Sequence, residues 1–245
     1  MKPQRLVWLL VWLAAGAMAE EDHFKGDLGG LMVHTASVVA GAPAQTAVLP
    51  YIEGEWGRFY GRVDTFGMRL VPLGQGHLEF ATRVNAEGFQ GRKTAYPALG
   101  DRRSPLPIGL GTLQMTPAGA FIAYLMHDPQ SGGQFAELNW AAEFSMGSVS
   151  FYPQLGAQYR SAAYVSSLYG VTPAESAATG LTSYRAAGGS WQPMATLQTT
   201  VPLGGLWSLQ AFVRYRRLDH AVQDSPLVRA NSQTTGFLAL TYTVN

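Results

Sequence analysis

The sequence predicts an all-β protein: a closed antiparallel up-and-down transmembrane β-barrel of about 12 strands (alternative about 10), with short periplasmic turns and long extracellular loops. Three observations carry this expectation. The first is strict alternation. From Leu206 to Leu218 the chain reads LWSLQAFVRYRRL. Side chains of a strand point to opposite faces in turn, so Trp207, Leu209, Ala211, Val213 and Tyr215 share one face. Ser208, Gln210, Phe212, Arg214 and Arg216 share the other. An aromatic near each end of the apolar face, with aliphatics between, fits a lipid-facing band bounded by two aromatic girdles. The second observation is composition. Charged residues make up 13% of the 245 residues, against about 25% in a soluble domain. A wall that faces lipid cannot hold charge cheaply, which gives the deficit a cause. The third is that short and long connections take turns along the chain, as they do when one rim of a barrel carries tight turns and the other carries loops.

Taken in order, the chain opens with an expected secretory signal peptide over residues 1–19. Lys2 and Arg5 are basic, Leu6 to Gly16 is apolar, and Ala17-Met18-Ala19 is a small-x-small site, so cleavage is expected near Ala19. The apolar stretch is shorter than the ~20 residues of a spanning helix. Residues 20–245 then read as one outer-membrane barrel domain of a Gram-negative bacterium. Later apolar runs are broken by Gly, Pro or a charge. A chain that spans lipid without helices must close on itself, because every backbone polar group has to be satisfied internally.

The strands follow. Phe59 to Val71 reads as two strands or as one bent strand, and the second choice lowers the count to about 10. His77, Glu79, Ala81, Arg83 and Asn85 oppose Leu78, Phe80, Thr82 and Val84. Leu106 to Met115 alternates more weakly. Phe135, Glu137, Asn139, Ala141 and Glu143 oppose Ala136, Leu138, Trp140, Ala142 and Phe144. Ser148 to Arg160, Ser190 to Val201 and Thr235 to Val244 alternate in the same way. Tight turns are expected at Pro72 to Gly76, Thr116 to Gly119, Met146-Gly147 and Leu203 to Gly205. Long connections are expected at Ser37 to Thr46, Gly88 to Ser104, His127 to Gly133, Ala162 to Arg185 and Asp219 to Ser232.

Several function classes are narrowed by what the chain contains. It has no cysteine, hence no disulfide framework and no thiol chemistry. A net charge of +1 argues against nucleic acid as a partner. His23, His34, His77 and His127 are scattered without metal-ligand spacing, so neither a metal nor a cofactor is expected. Asp219-His220 and Asp224-Ser225 share one loop and could activate water or a hydroxyl. Nothing in their spacing brings a base within about 3 Å of a nucleophile. A loop rich in turn formers is the plainer reading, and no enzymatic activity is expected.

Seven charges are expected to face the lumen: Glu79, Arg83, Glu137, Glu143, Arg160, Arg214 and Arg216. In an open pore, ringed arginines would select anions. In a barrel of about 12 strands, paired side chains and inward-folded loops can fill the interior instead, and closure is the expectation. The longest connection, Tyr164 to Gly189, is expected to fold over or into the mouth, held by Tyr169, Leu181 and Tyr184.

Two stretches carry a resemblance. One is Tyr169-Gly170-Val171-Thr172-Pro173-Ala174-Glu175-Ser176 with Thr179-Gly180-Leu181-Thr182-Ser183-Tyr184. The other is Tyr215-Arg216-Arg217-Leu218, followed by Asp219, Ala221 and Asp224-Ser225-Pro226-Leu227-Val228. Leu49-Pro50-Tyr51-Ile52, Phe59-Tyr60 and Leu99-Gly100-Asp101 are looser counterparts. Together they resemble the MipA/OmpV family of outer-membrane proteins, tightly from about Tyr164 onward. The resemblance implies a scaffold role in murein (peptidoglycan) synthesis and turnover. The implied partners are a lytic transglycosylase, a penicillin-binding murein synthase and the outer-membrane lipid. A narrow small-solute channel or a surface adhesin are the alternatives.

Overall fold

The computed structural model describes residues 23–245, so the signal-peptide reading lies outside the described residues. The strands run in chain order: β1 (Lys25–Thr35), β2 (Gln45–Trp56), β3 (Phe59–Arg62), β4 (Thr65–Leu73), β5 (Gly76–Arg83), β6 (Ile108–Thr116) and β7 (Gly119–Asp128). They continue as β8 (Gly133–Ala141), β9 (Phe144–Met146), β10 (Val149–Arg160), β11 (Ser190–Gly204), β12 (Trp207–Arg217) and β13 (Ser232–Val244). Each pairs antiparallel with its neighbours. β13 returns to β1 in a register from Gly26–Val244 to Thr35–Thr235, which closes the barrel. β8 and β9 both pair with β10 and act as one stave interrupted at Ala142 and Glu143, so the wall has 12 staves and one extra strand. The ten-strand alternative fails because Phe59 to Val71 reverses at Val63-Asp64 and forms the separate strands β3 and β4.

Alternation builds the wall for the reason expected from the sequence. Leu28, Met32, Leu110, Leu125, Leu138, Leu155, Val213, Leu238 and Leu240 stand on the outer face and are exposed, because lipid is their solvent. Aromatic pairs mark both rims. Trp207–Tyr242, Phe144–Phe151 and Trp56–Phe59 lie at the turn end. Tyr159–Trp191 lies at the loop end, together with Tyr215. Among the described residues no helix is long and apolar enough to cross a membrane.

The turn end carries two-residue links such as 57–58, 74–75, 117–118, 147–148 and 205–206. The long loops at the other end are 36–44, 84–107, 161–189 and 218–231. His127 to Gly133 departs from its expected length. β7 continues to Asp128 and β8 begins at Gly133. The Asp128 carboxylate makes this short turn possible by accepting from Ser131 N at 2.9 Å and Ser131 Oγ at 2.5 Å.

Three short α-helices sit in the loops, α1 (Ala162–Tyr169), α2 (Pro173–Thr179) and α3 (His220–Gln223), besides a 3-10 turn at Gly91–Lys93. Ser161 caps α1 by accepting from Tyr164 N. Thr172 and Glu175 form a capping box on α2, with Pro173 at its start. Gly180, at φ 73°, ends α2 in the left-handed region that favours glycine.

The interior has two apolar centres. The larger joins the loops to the upper wall and includes Val38, Val39, Leu99, Phe135, Tyr164, Val165, Leu168, Tyr169, Leu218, Val222 and Leu227. The smaller lies on the inner wall, where Leu31, Tyr51, Phe237 and Ala239 pack with Val33, Val63 and Phe212. The Phe212 and Phe237 rings stack at 4.8 Å. The smaller patch thus lies on the β1–β2 and β12–β13 side of the inner wall.

Candidate functional site

The inner face of β5 carries Glu79 and Arg83, four residues apart with Ala81 between them on the same face. Glu79 is buried and takes a bidentate ion pair from Arg62 of β3, at 2.7 and 2.8 Å. Arg62 also donates to the Tyr124 hydroxyl of β7 at 2.9 Å and stacks on the Tyr60 ring. Gly111 permits this reach, since a Cβ there would lie 2.1 Å from the Tyr124 ring. Arg83 pairs with Glu137 of β8 and donates to Thr65 Oγ1 at 3.0 Å. Glu137 further accepts from Asn139 at 2.7 Å and Gln158 at 2.6 Å.

Gln158 leads to a second charge centre nearer the mouth. Its Oε1 accepts from Arg216 at 2.8 Å and Arg160 at 3.1 Å. Both guanidiniums converge on Glu87, which the loop after β5 turns back into the barrel. Arg160 reaches Glu87 at 2.6 and 2.8 Å, and Arg216 reaches it at 2.6 Å. Burial pushes the Glu87 carboxyl up, but Arg160 and Arg216 outweigh it and hold the group well below the usual carboxylate range. Arg214 joins through Asp64, which lies 3.9 Å from Arg214 and 3.8 Å from Arg83; Arg214 also lies 3.3 Å from Thr196 Oγ1 and over the Phe212 ring. Glu143 does not join the network. β8 breaks after Ala141, and the Glu143 carboxylate lies exposed at the turn end, accepting from the Tyr152 hydroxyl at 3.2 Å.

The loops seal the mouth above this network. Tyr164, Val165, Leu168 and Tyr169 of α1 are buried against the barrel. The Tyr164 hydroxyl accepts from Asn85 Nδ2 at 2.9 Å. Val171 and Tyr184 exchange backbone hydrogen bonds, which pins the α2 excursion at its base. Glu175 then ties α2 to the neighbouring loop: Arg102 is 2.9 Å away and Gly100 N donates at 3.1 Å. Arg102 also donates to the Gly170 carbonyl at 2.9 Å. Burial pushes Glu175 up, but Arg102 and the Thr172 and Gly100 amides prevail and bring its pKa down to about 2.

The last loop locks onto the same cap. The Ser225 hydroxyl donates to the Tyr169 carbonyl at 2.6 Å, and Tyr184 Oη donates to Ala221 O at 2.8 Å. Asp219 is a helix cap: its carboxylate accepts from Ala221 N at 2.7 Å and Trp191 N at 3.0 Å. Leu218 and Leu227 are buried beside it, flanking the Asp224-Ser225-Pro226 turn. The His220 side chain is 92% exposed, with Asp224 at 4.0 Å. Burial pushes the Tyr169 hydroxyl up to about 12.

Outside the seal, a cleft of about 1180 Å³ opens between the 84–107 loop, the 129–132 turn and the α1–α2 segment. Arg103 and Arg185 line it, both exposed. Among the described residues no group of three or more His, Cys, Asp or Glu is placed to hold a metal ion.

The family model described as MltA-interacting protein MipA matches residues 28–244, from within β1 to the end of β13. The chain belongs to this family. A curated relative named "MltA-interacting protein" from Escherichia coli (strain K12) is 33% identical over 132 residues, 53% of this chain and 53% of that protein. The chain thus spans about half the length of that relative. Another, named "Putative outer membrane protein YiaT" from the same organism, is 26% identical over 223 residues, 89% of this chain and 90% of that protein. Among solved structures, a refined porin matches over 91% of this chain and 100% of its own at 7% identity, with a TM-score of 0.35. That likeness is too loose to carry an argument, and the fold rests on the hydrogen-bonded closure itself.

The MipA-family motif residues converge in this structure. Tyr169, Val171, Leu181, Tyr184 and Leu218 share one apolar cap, Ser225 bonds to Tyr169 across it and Gly100 to Glu175; Gly170 accepts from Arg102, Gly180 ends α2, and Asp219, Asp224 and Pro226 belong to the loop so held. Sequence reasoning missed Arg62, Asp64 and Glu87. A signal was present: the seven inward charges read from the sequence comprise four arginines and three glutamates. Buried cations need partners. With Glu143 at the rim, two further carboxylates were required, and Asp64 and Glu87 meet that need.

Proposed function

We propose that this outer-membrane barrel works through its surfaces rather than through a reaction or an open pore, and that it holds murein enzymes at the membrane. The observation that carries the reading is the Arg160–Glu87–Arg216 cluster, buried in the lumen beneath the loop seal. A barrel filled in this way has its turns and loops left for function. The commitment of the Ser225 hydroxyl to a carbonyl, with His220 in solvent, supports a non-enzymatic role. Membership of the MipA family, with a relative named for interaction with MltA, supports a lytic transglycosylase as one partner. On the same reading a penicillin-binding murein synthase is the second, and the surrounding outer-membrane lipid is the third.

The contact surface would be the turn end together with the residues before Lys25. Each turn offers only two residues, and a stable interface buries about 1,600 Å². Several turns must therefore be engaged at once. Immobilised full-length protein should retain a purified lytic transglycosylase, and separately a murein synthase, above an unrelated barrel of similar size. Retention no greater than that control overturns the proposal. A second reading, a surface adhesin, is favoured by the cleft with Arg103 and Arg185 on the loop side. A narrow solute channel is the reading that the buried cluster disfavours.

A further inference from the structure

One stave of the wall stops short. β3 has four residues and pairs with β2 only from Glu53–Arg62 to Trp56–Phe59. One more bond, Val63 N to Ile52 O, ends the contact. Above it, Gln45 to Tyr51 of β2 pair with β1 alone. β3 starts beside the aromatic pair Trp56–Phe59 at the turn end. Four residues at about 3.3 Å, tilted by about 40°, climb only ~10 Å of an apolar band about 25 Å tall. The hairpin therefore ends near the middle of the membrane, and the wall has a window above it.

The exposure pattern agrees. Ala47 and Leu49 face inward, in register with Val33 and Leu31. Leu31 is buried, yet Leu49 is 43% exposed and its outward neighbour Val48 is 78% exposed. An inward side chain on an intact stave has no reason to be so open. The Gln45 side chain closes the top of the window by donating to the Gly88 carbonyl at 2.7 Å. Val63 forms the sill at φ 60°, a left-handed conformation that costs a β-branched residue energy and tends to mark functional positions.

We propose that the window admits an acyl chain of a membrane lipid into the apolar patch on the inner wall. Three features select this occupant. The window opens at the depth of the apolar band, so lipid is what borders it. The patch behind it, Leu31, Val33, Tyr51, Val63, Phe212, Phe237 and Ala239, is hydrocarbon and aromatic apart from the Tyr51 hydroxyl, and Leu49 pairs in register with Leu31 at its open side. Pro50 sits on the open edge in the same alternation as Ile52, whose carbonyl faces β3, and proline has no N–H to offer there. An incoming protein strand is thus disfavoured, whereas an acyl chain needs no donor.

The chain has no cysteine, so a single introduced cysteine carries one fluorophore. Ala47→Cys and Val33→Cys probe the window and the patch. Gln154→Cys faces inward from β10, between β8 and β11, and controls for quenching through an intact wall. Each labelled full-length protein is folded into phosphatidylcholine vesicles with acyl chains either brominated or not. Folding is checked by the heat-dependent shift of barrel mobility on gels, and Ala47→Cys is conservative enough to keep that check passable. The expected result is loss of fluorescence at positions 47 and 33 in brominated vesicles, with position 154 unchanged. Positions 47 and 33 remaining as bright as position 154 would overturn the proposal.

Discussion

Glu87 is the residue on which the closure turns. Its carboxylate sits between two guanidiniums, with Gln158 completing the set. Removing one partner of a buried ion pair costs about 3–5 kcal/mol, because the charges left behind are uncompensated. Glu87→Gln should lower stability by that order in urea-induced unfolding from vesicles, and a loss below about 1 kcal/mol would show that the cluster is not buried in lipid-embedded protein. The pH dependence follows from the direction of the shift. Glu87 is depressed below its ordinary value of 4.5. Its contribution is therefore complete above pH 4.5 and is lost progressively as the pH falls below it. Single residues of this kind were partly legible. The pleat told that Arg160 and Arg216 face inward, since period 2 fixes the face. It could not tell which carboxylate meets them, because Glu87 arrives from a loop and the pairing spans 73 and 129 positions.

At the scale of elements, the strands that alternate cleanly were readable and the irregular ones were not. β12 runs from Trp207 to Arg217, almost the stretch the alternation picked out, because lipid outside and lumen inside impose opposite demands on its faces. β3 was ambiguous, since four residues give too few alternations to separate a strand from a bend. The break at Ala142-Glu143 was invisible because the alternation runs on through it. α1 and α2 were seen only as a long loop, being shorter than the windows in which helical periodicity shows. The α2 excursion is held by Glu175, and this gives a prediction. Its carboxyl titrates at about 2 in the folded chain and at 4.5 ordinarily, so the Arg102 contact is complete above pH 4.5 and fails as the pH falls toward 2. Pepsin cleavage beside Leu181, just past α2, should rise over that interval, and Glu175→Gln should be cut there already at pH 4.5. Equal cleavage of both proteins at pH 4.5 would place the restraint elsewhere.

The whole molecule divides its work between wall and cap. The wall is generic: twelve antiparallel staves, apolar outside, closed by β13 on β1. The cap is built from the residues that carry the family resemblance, and those of two distant loops bond to one another there. This explains why the fold could be read from alternation while the family had to be read from loop residues. It also gives the motifs a structural role, which is to hold the seal over the Glu87 cluster. Planar-bilayer recording of the purified full-length protein tests that account most directly. A sealed lumen predicts no discrete conductance steps from the wild-type protein at neutral pH, and steps appearing once both layers of the closure are loosened by Glu87→Gln combined with Ser225→Ala. Stable, discrete steps from the wild-type protein would contradict it.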